Sequence, residues 1–199
     1  YASLFGLNKR TGIEIEEAAP QIANEFPVMA AIGQSNNNYT TVQLARYVTA
    51  VANEGTVYQY TLLNRLEDSD GNVLQTFEPQ VRNQIDVLDT EKWNAIHSGM
   101  RMVVENTKEF DGFPIEAAGK TGTAQQNLKR PNHALFVGYA PYDDPEISIA
   151  TRIAYGYTSH NAAKLARNVF AYYFNVENED ELLNGQAANG NSSSNEISD

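Results

Sequence analysis

The sequence predicts a single α+β domain in which three antiparallel strands pack against helices. Three observations indicate this class: two segments have apolar residues at helical spacing, three consecutive segments are rich in β-branched and aromatic residues, and a last helical segment follows them. With 199 residues, 42% of them hydrophobic, the chain is long enough to bury one core. No internal repeat is visible.

The first long helix is predicted at about residues 41–53. Before it, residues 1–38 have little periodicity and many turn formers, which predicts loops with short helical turns. Thr40 and Gln43 have the spacing of a capping box, in which each side chain binds the backbone N–H of the other residue. This pair therefore predicts where the helix begins.

A β-hairpin and a second helix are predicted next. The segments TVYQYTLLNRL and NVLQTF flank EDSDG, whose aspartates and glycine favour a turn between two strands. After Asp89 the apolar residues recur at helical spacing. The residues expected on the buried side of this helix are Trp93, Ile96, Met100 and Val103.

Three strands and a final helix complete the predicted order. The strands are IEAAGKTGTA, HALFVGYA and EISIATRIAYG, and PYDDP turns between the second and the third. The TSHN segment, residues 158–161, is expected to cap a last helix at about residues 161–174, with a position at the rim of a binding cleft as the alternative. The residues expected to form its buried face are Ala163, Ala166, Phe170 and Tyr173.

The charge distribution divides the chain into a folded part, residues 1–174, and an acidic tail, residues 175–199. The net charge of −11 argues against a nucleic-acid partner, because phosphate binding needs clustered lysine and arginine. Six acidic residues lie in the tail, which has no lysine or arginine and is rich in Asn, Ser and Gly. We expect the tail to be disordered, because its few apolar residues cannot offset the entropy of ordering it.

Several kinds of segment are absent from the sequence. The lack of cysteine excludes disulfides, thiolate catalysis and cysteine-based zinc sites. There is no signal peptide and no apolar run of the about 18 residues that a membrane-spanning helix needs. The chain opens with YASLFGLNKRTG rather than with methionine, so we expect it to be a segment of a longer protein.

The segment GKTGTAQ, residues 119–125, has the residue types of an anion-binding site. A phosphate-binding loop of the pattern G-x-x-x-x-G-K-[ST] would need a glycine where this chain has Pro114, which lacks an N–H. Such a loop would also open a helix, whereas TGTAQQN is predicted to be strand and turn. These two differences argue against a nucleotide site.

Considered as an edge strand, the same segment predicts a carboxylate site. Thr121 and Thr123 are two residues apart and share one face, while Lys120 lies on the other. Gly122 lets another backbone approach, so an extended peptide could pair with the strand and place its carboxylate near the hydroxyls and the lysine. The motif alone leaves an alternative open, in which Lys120 is a solvated edge lysine that discourages aggregation.

Five ordered segments over residues 1–174 resemble the C-terminal half of the transpeptidase domain of high-molecular-weight penicillin-binding proteins. LFGLNKRTGIEI is similar to the family's F-G-L-G-x-x-T-G-I-x-L, and AIGQSNNNYTTVQLARYVTAVANEG to I-G-Q-G…T-P-L-Q-L-A…A-N-x-G. GMRMVV precedes AAGKTGTAQ, and HALFVGYAPYDDPEISIA resembles the strand pair that follows the K-T-G motif. The resemblance favours the carboxylate site. It implies an incomplete fold of the penicillin-binding protein and serine β-lactamase type, whose five-stranded sheet takes two strands from earlier sequence.

The chemistry implied by the resemblance is acyl transfer through a serine ester, carried by the motifs S-x-x-K, S-x-N and K-[ST]-G. No serine of this chain is followed by lysine three positions later. S-x-N matches begin at Ser35, in the IGQ loop, and at Ser193, in the acidic tail, and we interpret both of these as accidental. We therefore expect the nucleophile to lie outside these 199 residues and the chain alone to be inactive.

The resemblance implies a role for each residue of the K-T-G segment. Lys120 supplies positive charge to the substrate carboxylate and helps to place protons. Thr121 and Thr123 offer hydroxyls to that carboxylate, which belongs to a D-Ala-D-Ala stem peptide or a β-lactam. The backbone N–H of Thr123 is one donor to the oxyanion, and Gly122 keeps the strand approachable. The resemblance implies no cofactor and no metal.

Two residues depart from the family's pattern, and the histidines fit no catalytic motif. Ser35 stands where the family has glycine, which can alter a turn, and Thr41 stands where it has proline, at little cost. The histidines match neither a zinc motif nor a Ser-His-Asp arrangement, so capping or packing roles are expected. They are His97, His133 and His160. Lys129 and Arg130 are expected in a solvated loop, with contact to an anionic substrate as the alternative.

The function implied by the resemblance is that of a serine-type DD-transpeptidase of peptidoglycan synthesis, which shapes the cell wall. The parent protein would act at the extracytoplasmic face of the bacterial cell membrane, held by an N-terminal anchor. The alternative is a non-catalytic β-lactam sensor or interaction module built on the same fold. We expect this chain to expose one unpaired sheet edge and apolar surface, covered by the missing half of the domain or by a second chain.

Overall fold

The computed structural model describes residues 1–126, 128–178 and 182. The predicted disorder of the acidic tail falls mostly on residues 179–181 and 183–199, which lie outside the described residues. Within the described part, no helix has the length and apolar run needed to cross a bilayer. In chain order the elements are α1 (Pro27–Ala31), α2 (Thr41–Ala52), β1 (Thr56–Tyr58), β2 (Arg65–Glu67), β3 (Val73–Thr76), β4 (Val81–Gln84), α3 (Thr90–Glu105), a 3₁₀ turn (Lys108–Phe110), β5 (Ala118–Ala124), β6 (His133–Ala140), β7 (Ile147–Ile153) and α4 (Ser159–Tyr173).

The main sheet consists of the three predicted strands, in the order β5-β6-β7, and both pairs are antiparallel. The register of β5 on β6 is regular, from Ala118 opposite Tyr139 to Ala124 opposite His133. Strand β5 is therefore an edge of this sheet, as predicted for the K-T-G segment, and β7 is the other edge.

Helices cover both faces of the sheet and give the predicted α+β class. On one face, the α4 residues Ala166 and Phe170 pack against Phe136 of β6. On the other face, Val48 of α2 packs against Tyr139 of β6. The sheet is thus the middle layer, and β5 keeps one free edge between the two helical layers.

The capping box predicted for α2 is present. Thr40 Oγ1 accepts a hydrogen bond of 3.2 Å from the Gln43 N–H, and Thr40 N–H donates to Gln43 Oε1 at 2.9 Å. The Gln43 side chain also donates to the carbonyl of Lys9 at 2.8 Å. One residue therefore caps the helix and holds the N-terminal segment against it.

The predicted extent of α3 is close to the observed one, but its buried side was partly wrong. The helix starts at the cap Asp89, whose carboxylate accepts from the Lys92 N–H. Trp93 and Val104 are buried, whereas Ile96 is exposed. The reason is that α3 turns a different stripe toward α2, as shown by His97 Nε2, which lies 2.7 Å from the Val51 carbonyl oxygen.

Helix α4 begins at the predicted cap, because the Thr158 side chain accepts from the backbone N–H of His160. Ala163, Ala166 and Phe170 are buried as predicted, but Tyr173 is half-exposed. The buried face instead includes Ala162 and Ala171, so the stripe is rotated relative to the prediction.

The described start of the acidic tail folds back on α4. The backbone N–H of Val176 donates to the Ala171 carbonyl at 3.0 Å, and Arg167 forms an ion pair with Glu177. Hydrogen bonding to Arg167 lowers the pKa of the Glu177 carboxyl. These contacts involve described residues just past the predicted boundary at residue 174.

Two small sheets lie beside the main one. The predicted hairpin is present where β2 pairs with β3, Arg65 opposite Thr76. The other sheet, β1 with β4, was not predicted. The segment VRNQ of β4 lacks the apolar alternation that indicates a strand, and all four of its residues are exposed.

A buried arginine anchors the N-terminal segment, and the sequence analysis missed it. The Arg46 side chain is only 2% exposed. It donates to the carbonyl of Gly6 at 2.7 Å and to that of Thr11 at 3.3 Å. Burial lowers the pKa of Arg46. Backbone carbonyls of a loop thus accept hydrogen bonds from the terminal nitrogens of a guanidinium that α2 carries into the interior, while its buried Nε has no hydrogen-bond partner among the described residues.

Candidate active site

The candidate site lies on the free edge of β5. Lys120 is exposed, and its ammonium donates a hydrogen bond of 2.7 Å to the carbonyl of Thr121. Among the residues that the structure describes, no carboxylate forms an ion pair with it. The lysine therefore offers an uncompensated positive charge to an anion at this edge.

The predicted alternation along β5 is present. Thr121 lies opposite Phe136, on the face covered by α4, and Thr123 shares that face. Lys120 lies opposite Val137, on the face covered by α2. Thr121 is half-buried and Thr123 is exposed.

The backbone of β5 presents hydrogen-bonding groups to the free edge. The carbonyl of Thr123 accepts a hydrogen bond of 3.1 Å from Nε2 of Gln34, a residue outside the sheet. In an extended antiparallel strand, the N–H and C=O of one residue point to the same side, and neighbouring residues alternate. The N–H of Thr123 therefore also points to the free edge. By the same alternation, both backbone groups of Thr121 point there.

Gln34 reaches β5 from a loop that internal hydrogen bonds hold in place. Its N–H donates to the Met29 carbonyl at 2.9 Å, and Ser35 Oγ donates to the Glu25 carbonyl at 2.6 Å. Ser35, which replaces the family's glycine, does not have a left-handed φ, so this position does not need glycine. Sequence analysis missed the role of Gln34, since no local pattern connects it to a strand 89 residues away.

The two glycines of the site differ in whether packing requires them. A Cβ at Gly119 would lie 2.3 Å from Cζ of Phe136 and 2.8 Å from the carbonyl oxygen of Val137. A Cβ at Gly122 would meet only Leu135, at the ordinary distance of 3.4 Å. Packing therefore requires glycine at 119, whereas it leaves room for a side chain at 122.

His133 ties the end of the site to β7. Its Nδ1 accepts from the Tyr155 N–H at 3.1 Å, and its Nε2 lies 3.0 Å from Oε1 of Gln126 and 3.3 Å from the Arg152 guanidinium. Because Nδ1 is an acceptor, the neutral ring carries its proton on Nε2 and donates to Gln126. Burial, together with the positive charge of Arg152, lowers the pKa of His133.

The remaining predicted polar residues have structural contacts. Arg130 is exposed, as expected for a solvated loop, and donates to the Tyr155 hydroxyl at 2.6 Å with its guanidinium 5.4 Å from the ring centre. His97 joins α3 to α2, and His160 lies 2.9 Å from a Glu109 carboxylate oxygen. Within the described residues, no cluster of histidine and acidic side chains could hold a metal ion.

Comparison with known protein families matches residues 1–171 to the penicillin binding protein transpeptidase domain. Penicillin-binding protein 2A of Bacillus subtilis is 27% identical over 216 residues, which cover 95% of this chain and 30% of the relative. The peptidoglycan D,D-transpeptidase MrdA of Haemophilus influenzae is 32% identical, over 86% of this chain and 31% of the relative. The chain thus spans about a third of the length of these relatives.

Solved structures show the same fold. Penicillin-binding protein 2B of Streptococcus pneumoniae strain R6 superposes with a TM-score of 0.76 at 24% identity, over 88% of this chain and 32% of that one. An imipenem acyl-enzyme complex of penicillin-binding protein A from M. tuberculosis superposes with a TM-score of 0.75 at 22% identity, over 87% of this chain and 40% of that one.

Proposed function

The chain belongs to the penicillin-binding protein transpeptidase family, and we propose that the protein carrying it cross-links peptidoglycan stem peptides by serine acyl transfer and binds β-lactams. The observation that carries the proposal is the free edge of β5, where an uncompensated Lys120 adjoins the outward backbone groups of Thr121 and Thr123. The D,D-transpeptidase named among the relatives supports the reaction class. Because this chain spans about a third of the relatives, the activity is proposed for the longer protein.

We propose that the substrate binds as an additional antiparallel strand. In a hydrogen-bonded antiparallel pair, two residues exchange both of their backbone hydrogen bonds. The penultimate D-alanine of the stem peptide then gives its carbonyl oxygen to the Thr123 N–H and its own N–H to the Thr123 carbonyl. The antiparallel direction carries the terminal carboxylate back toward Lys120 and the hydroxyl of Thr121, where charge and hydrogen bonding both favour it.

The proposed reaction has two acyl transfers. A serine hydroxyl attacks the carbonyl carbon of the penultimate D-alanine, the C–N bond breaks, and the terminal D-alanine leaves as an amine that takes the serine proton. An amine of a second stem peptide then attacks the ester, forms the cross-linking amide and returns a proton to the serine. The Thr123 N–H stabilises the oxyanion in both steps, and such a donor is worth about 10²–10³ in rate.

We propose that the nucleophile and the S-x-N motif come from sequence outside these 199 residues. Nothing within the chain matches S-x-x-K. The Ser35 hydroxyl donates a hydrogen bond to the Glu25 carbonyl in its own loop. The proposed partner of the chain is therefore the rest of the transpeptidase domain, or a second chain, which would pair with the open edge of β7. It would also cover the exposed apolar residues of α1 and its two ends, which include Phe26, Val28 and Ile32.

The proposed location follows from the substrate. Peptidoglycan is assembled outside the cytoplasmic membrane, so we propose that the longer protein acts there and is held by an N-terminal anchor. The chemistry uses side chains and backbone groups alone, without a metal or cofactor.

Covalent labelling by a fluorescent penicillin tests the proposal. The full-length protein and the 199-residue chain are incubated with the probe, and the labelled serine is mapped by mass spectrometry. We expect the full-length protein to be labelled at a serine outside the 199 residues, and the isolated chain to stay unlabelled. Heat-denatured full-length protein is the control for non-specific labelling.

Two other results would change the assignment. Stable labelling of the isolated chain would show that its nucleophile lies within the 199 residues. A full-length protein that binds β-lactams and D-Ala-D-Ala peptides reversibly, without an acyl-enzyme, would instead be the non-catalytic sensor. No binding of either ligand class would refute the proposed function.

A further inference from the structure

The side chain of Gln34 makes the hydrogen bond that a peptide strand would make with β5. Its Nε2 donates to the Thr123 carbonyl at 3.1 Å. A glutamine carboxamide and a backbone amide have the same donor group, an N–H beside a carbonyl. Gln34 therefore occupies the acceptor that a substrate strand needs at this edge.

The substrate group that meets the same acceptor can be identified. In the proposed binding mode, the residue whose carbonyl oxygen lies at the Thr123 N–H donates its own N–H to the Thr123 carbonyl. That residue is the one whose carbonyl carbon is attacked. Gln34 thus contacts the acceptor used by the N–H next to the reacting bond, rather than by a remote part of the peptide.

The geometry allows Gln34 to leave without unfolding its loop. Its backbone N–H stays bound to the Met29 carbonyl, and the backbone bridge between Gln21 and Asn38 closes the base of the loop. The contact with Thr123 is solvent-exposed, so a rotated side chain can bind water instead. The outward carbonyl of Thr121 is occupied in a similar way, by the ammonium of Lys120.

We propose that Gln34 is a specificity-determining residue that competes with the backbone N–H of the acylated residue for the carbonyl of Thr123. This inference rests on the proposed function, since it concerns peptide binding at the same edge. A ligand with an N–H at that position approaches the Thr123 carbonyl from the same free edge and takes the place of Gln34. A ligand with an ester oxygen there does not claim the carbonyl, so Gln34 keeps its hydrogen bond. Gln34 therefore reduces the advantage of amide ligands over ester ligands.

The test compares two peptides on the full-length protein. One is an acylated D-Ala-D-Ala peptide, and the other carries an ester oxygen in place of the N–H of the penultimate residue. Dissociation constants are measured for the Gln34 protein, Gln34→Ala and Gln34→Glu, whose carboxylate cannot donate. Each protein also carries alanine in place of the serine mapped by penicillin labelling, so that neither peptide is cleaved. We expect both variants to bind the amide peptide about two- to tenfold more tightly, the range that one hydrogen bond supports. The ester peptide should bind all three proteins equally.

A second readout follows the side chain directly. In protein labelled with ¹⁵N at glutamine, the amide peptide should shift the Gln34 side-chain signals toward those of a solvated glutamine, and the ester peptide should leave them in place. Gln75→Ala, on the exposed strand β3, is the matched control and should change neither readout.

The outcomes separate this inference from the proposed function. Equal changes for the two peptides, or weaker binding of the amide peptide by Gln34→Ala, would overturn the competition and assign Gln34 a supporting role in the loop. An unshifted Gln34 signal in the amide complex would overturn it as well. If neither peptide binds any form of the protein, the proposed function itself fails, and the competition fails with it.

Discussion

Phe136 of β6 occupies the space beside Gly119 of β5 that a side chain would need. A Cβ added to Gly119 would lie 2.3 Å from Cζ and 2.8 Å from Cε2 of this ring. Phe136 is fully buried in the core formed with α4, so it has no room to withdraw. The position of the K-T-G strand therefore depends on the absence of a side chain just before Lys120.

Gly119→Ala is expected to destabilise the protein by about 1–3 kcal/mol, because the added methyl group overpacks the core against Phe136. Gly122→Ala is the matched control within the same strand, since its Cβ would meet only Leu135 at 3.4 Å. Its effect on the free energy of unfolding should stay within about 0.5 kcal/mol. Urea denaturation of both variants measures the difference, and equal losses would contradict the packing argument.

The same glycine pair separates folding from ligand binding. If Gly122 serves to keep the strand approachable, as predicted, Gly122→Ala should slow labelling by fluorescent penicillin while the fold stays intact. Labelling at the wild-type rate would show that this glycine has no role in binding. Circular dichroism of the labelled samples confirms that the comparison is made between folded proteins.

Lys120→Ala is expected to leave stability nearly unchanged, because Lys120 is exposed and donates only to the neighbouring Thr121 carbonyl. Labelling of the full-length protein by fluorescent penicillin should slow by about 10- to 150-fold, the range for loss of one charged hydrogen bond. Lys92→Ala, which removes an exposed lysine of α3, is the control for net charge. A labelling rate equal to that of the control would show that Lys120 is a solvated edge lysine without a role in binding.

His133 is expected to make stability depend on pH in the acid range. Burial and the charge of Arg152 lower its pKa in the folded state, so the unfolded chain binds more protons than the native protein below about pH 6.5. Stability should therefore fall as the pH drops from about 7 through this range. His133→Gln should remove this part of the slope, as measured by urea denaturation at a series of pH values.

A matched variant isolates the titration of the ring. Gln126→Ala removes the neutral partner of Nε2 but keeps the histidine, so its stability should retain the pH dependence at a lower absolute value. If His133→Gln shows the same slope as the wild type, the acid sensitivity arises from other groups.

Arg46→Met is expected to cost about 3 kcal/mol, because the buried carbonyl of Thr11 and the partly buried carbonyl of Gly6 lose their donor. The loss should also free the N-terminal segment, which limited proteolysis detects as new cleavage among residues 6–11. Arg65→Met, on the exposed hairpin strand β2, is the control and should change stability by less than about 1 kcal/mol. An unchanged cleavage pattern for Arg46→Met would show that other contacts hold the segment.

The sequence was most informative where the determining interactions are local. The capping box of Thr40 and Gln43 spans three residues and correctly placed the start of α2. The alternation of residues in a strand, which has a period of two, correctly placed Thr121 and Thr123 on one face and Lys120 on the other. The resemblance of the chain to the penicillin-binding protein transpeptidase family was also confirmed.

Local periodicity was less reliable for choosing which helical stripe becomes buried. Ile96 and Tyr173 were expected in the core because apolar residues recur near them at helical spacing. Both side chains are exposed. The element that packs against a helix decides which stripe of the helix is buried. For α3 this element is α2, whose Val51 carbonyl binds His97. The sequence of one helix does not show which distant segment will pack against it.

The sequence alone determined the fold class, the three strands of the main sheet and the residues of the K-T-G edge, since these depend on local periodicity and on a recognisable motif. Only the tertiary structure showed that Gln34 binds the Thr123 carbonyl, that Arg46 donates to loop carbonyls and that Phe136 requires glycine at 119. These three contacts join residues that lie in different segments of the chain. Their geometry depends on how whole elements pack, which no spacing within one segment encodes.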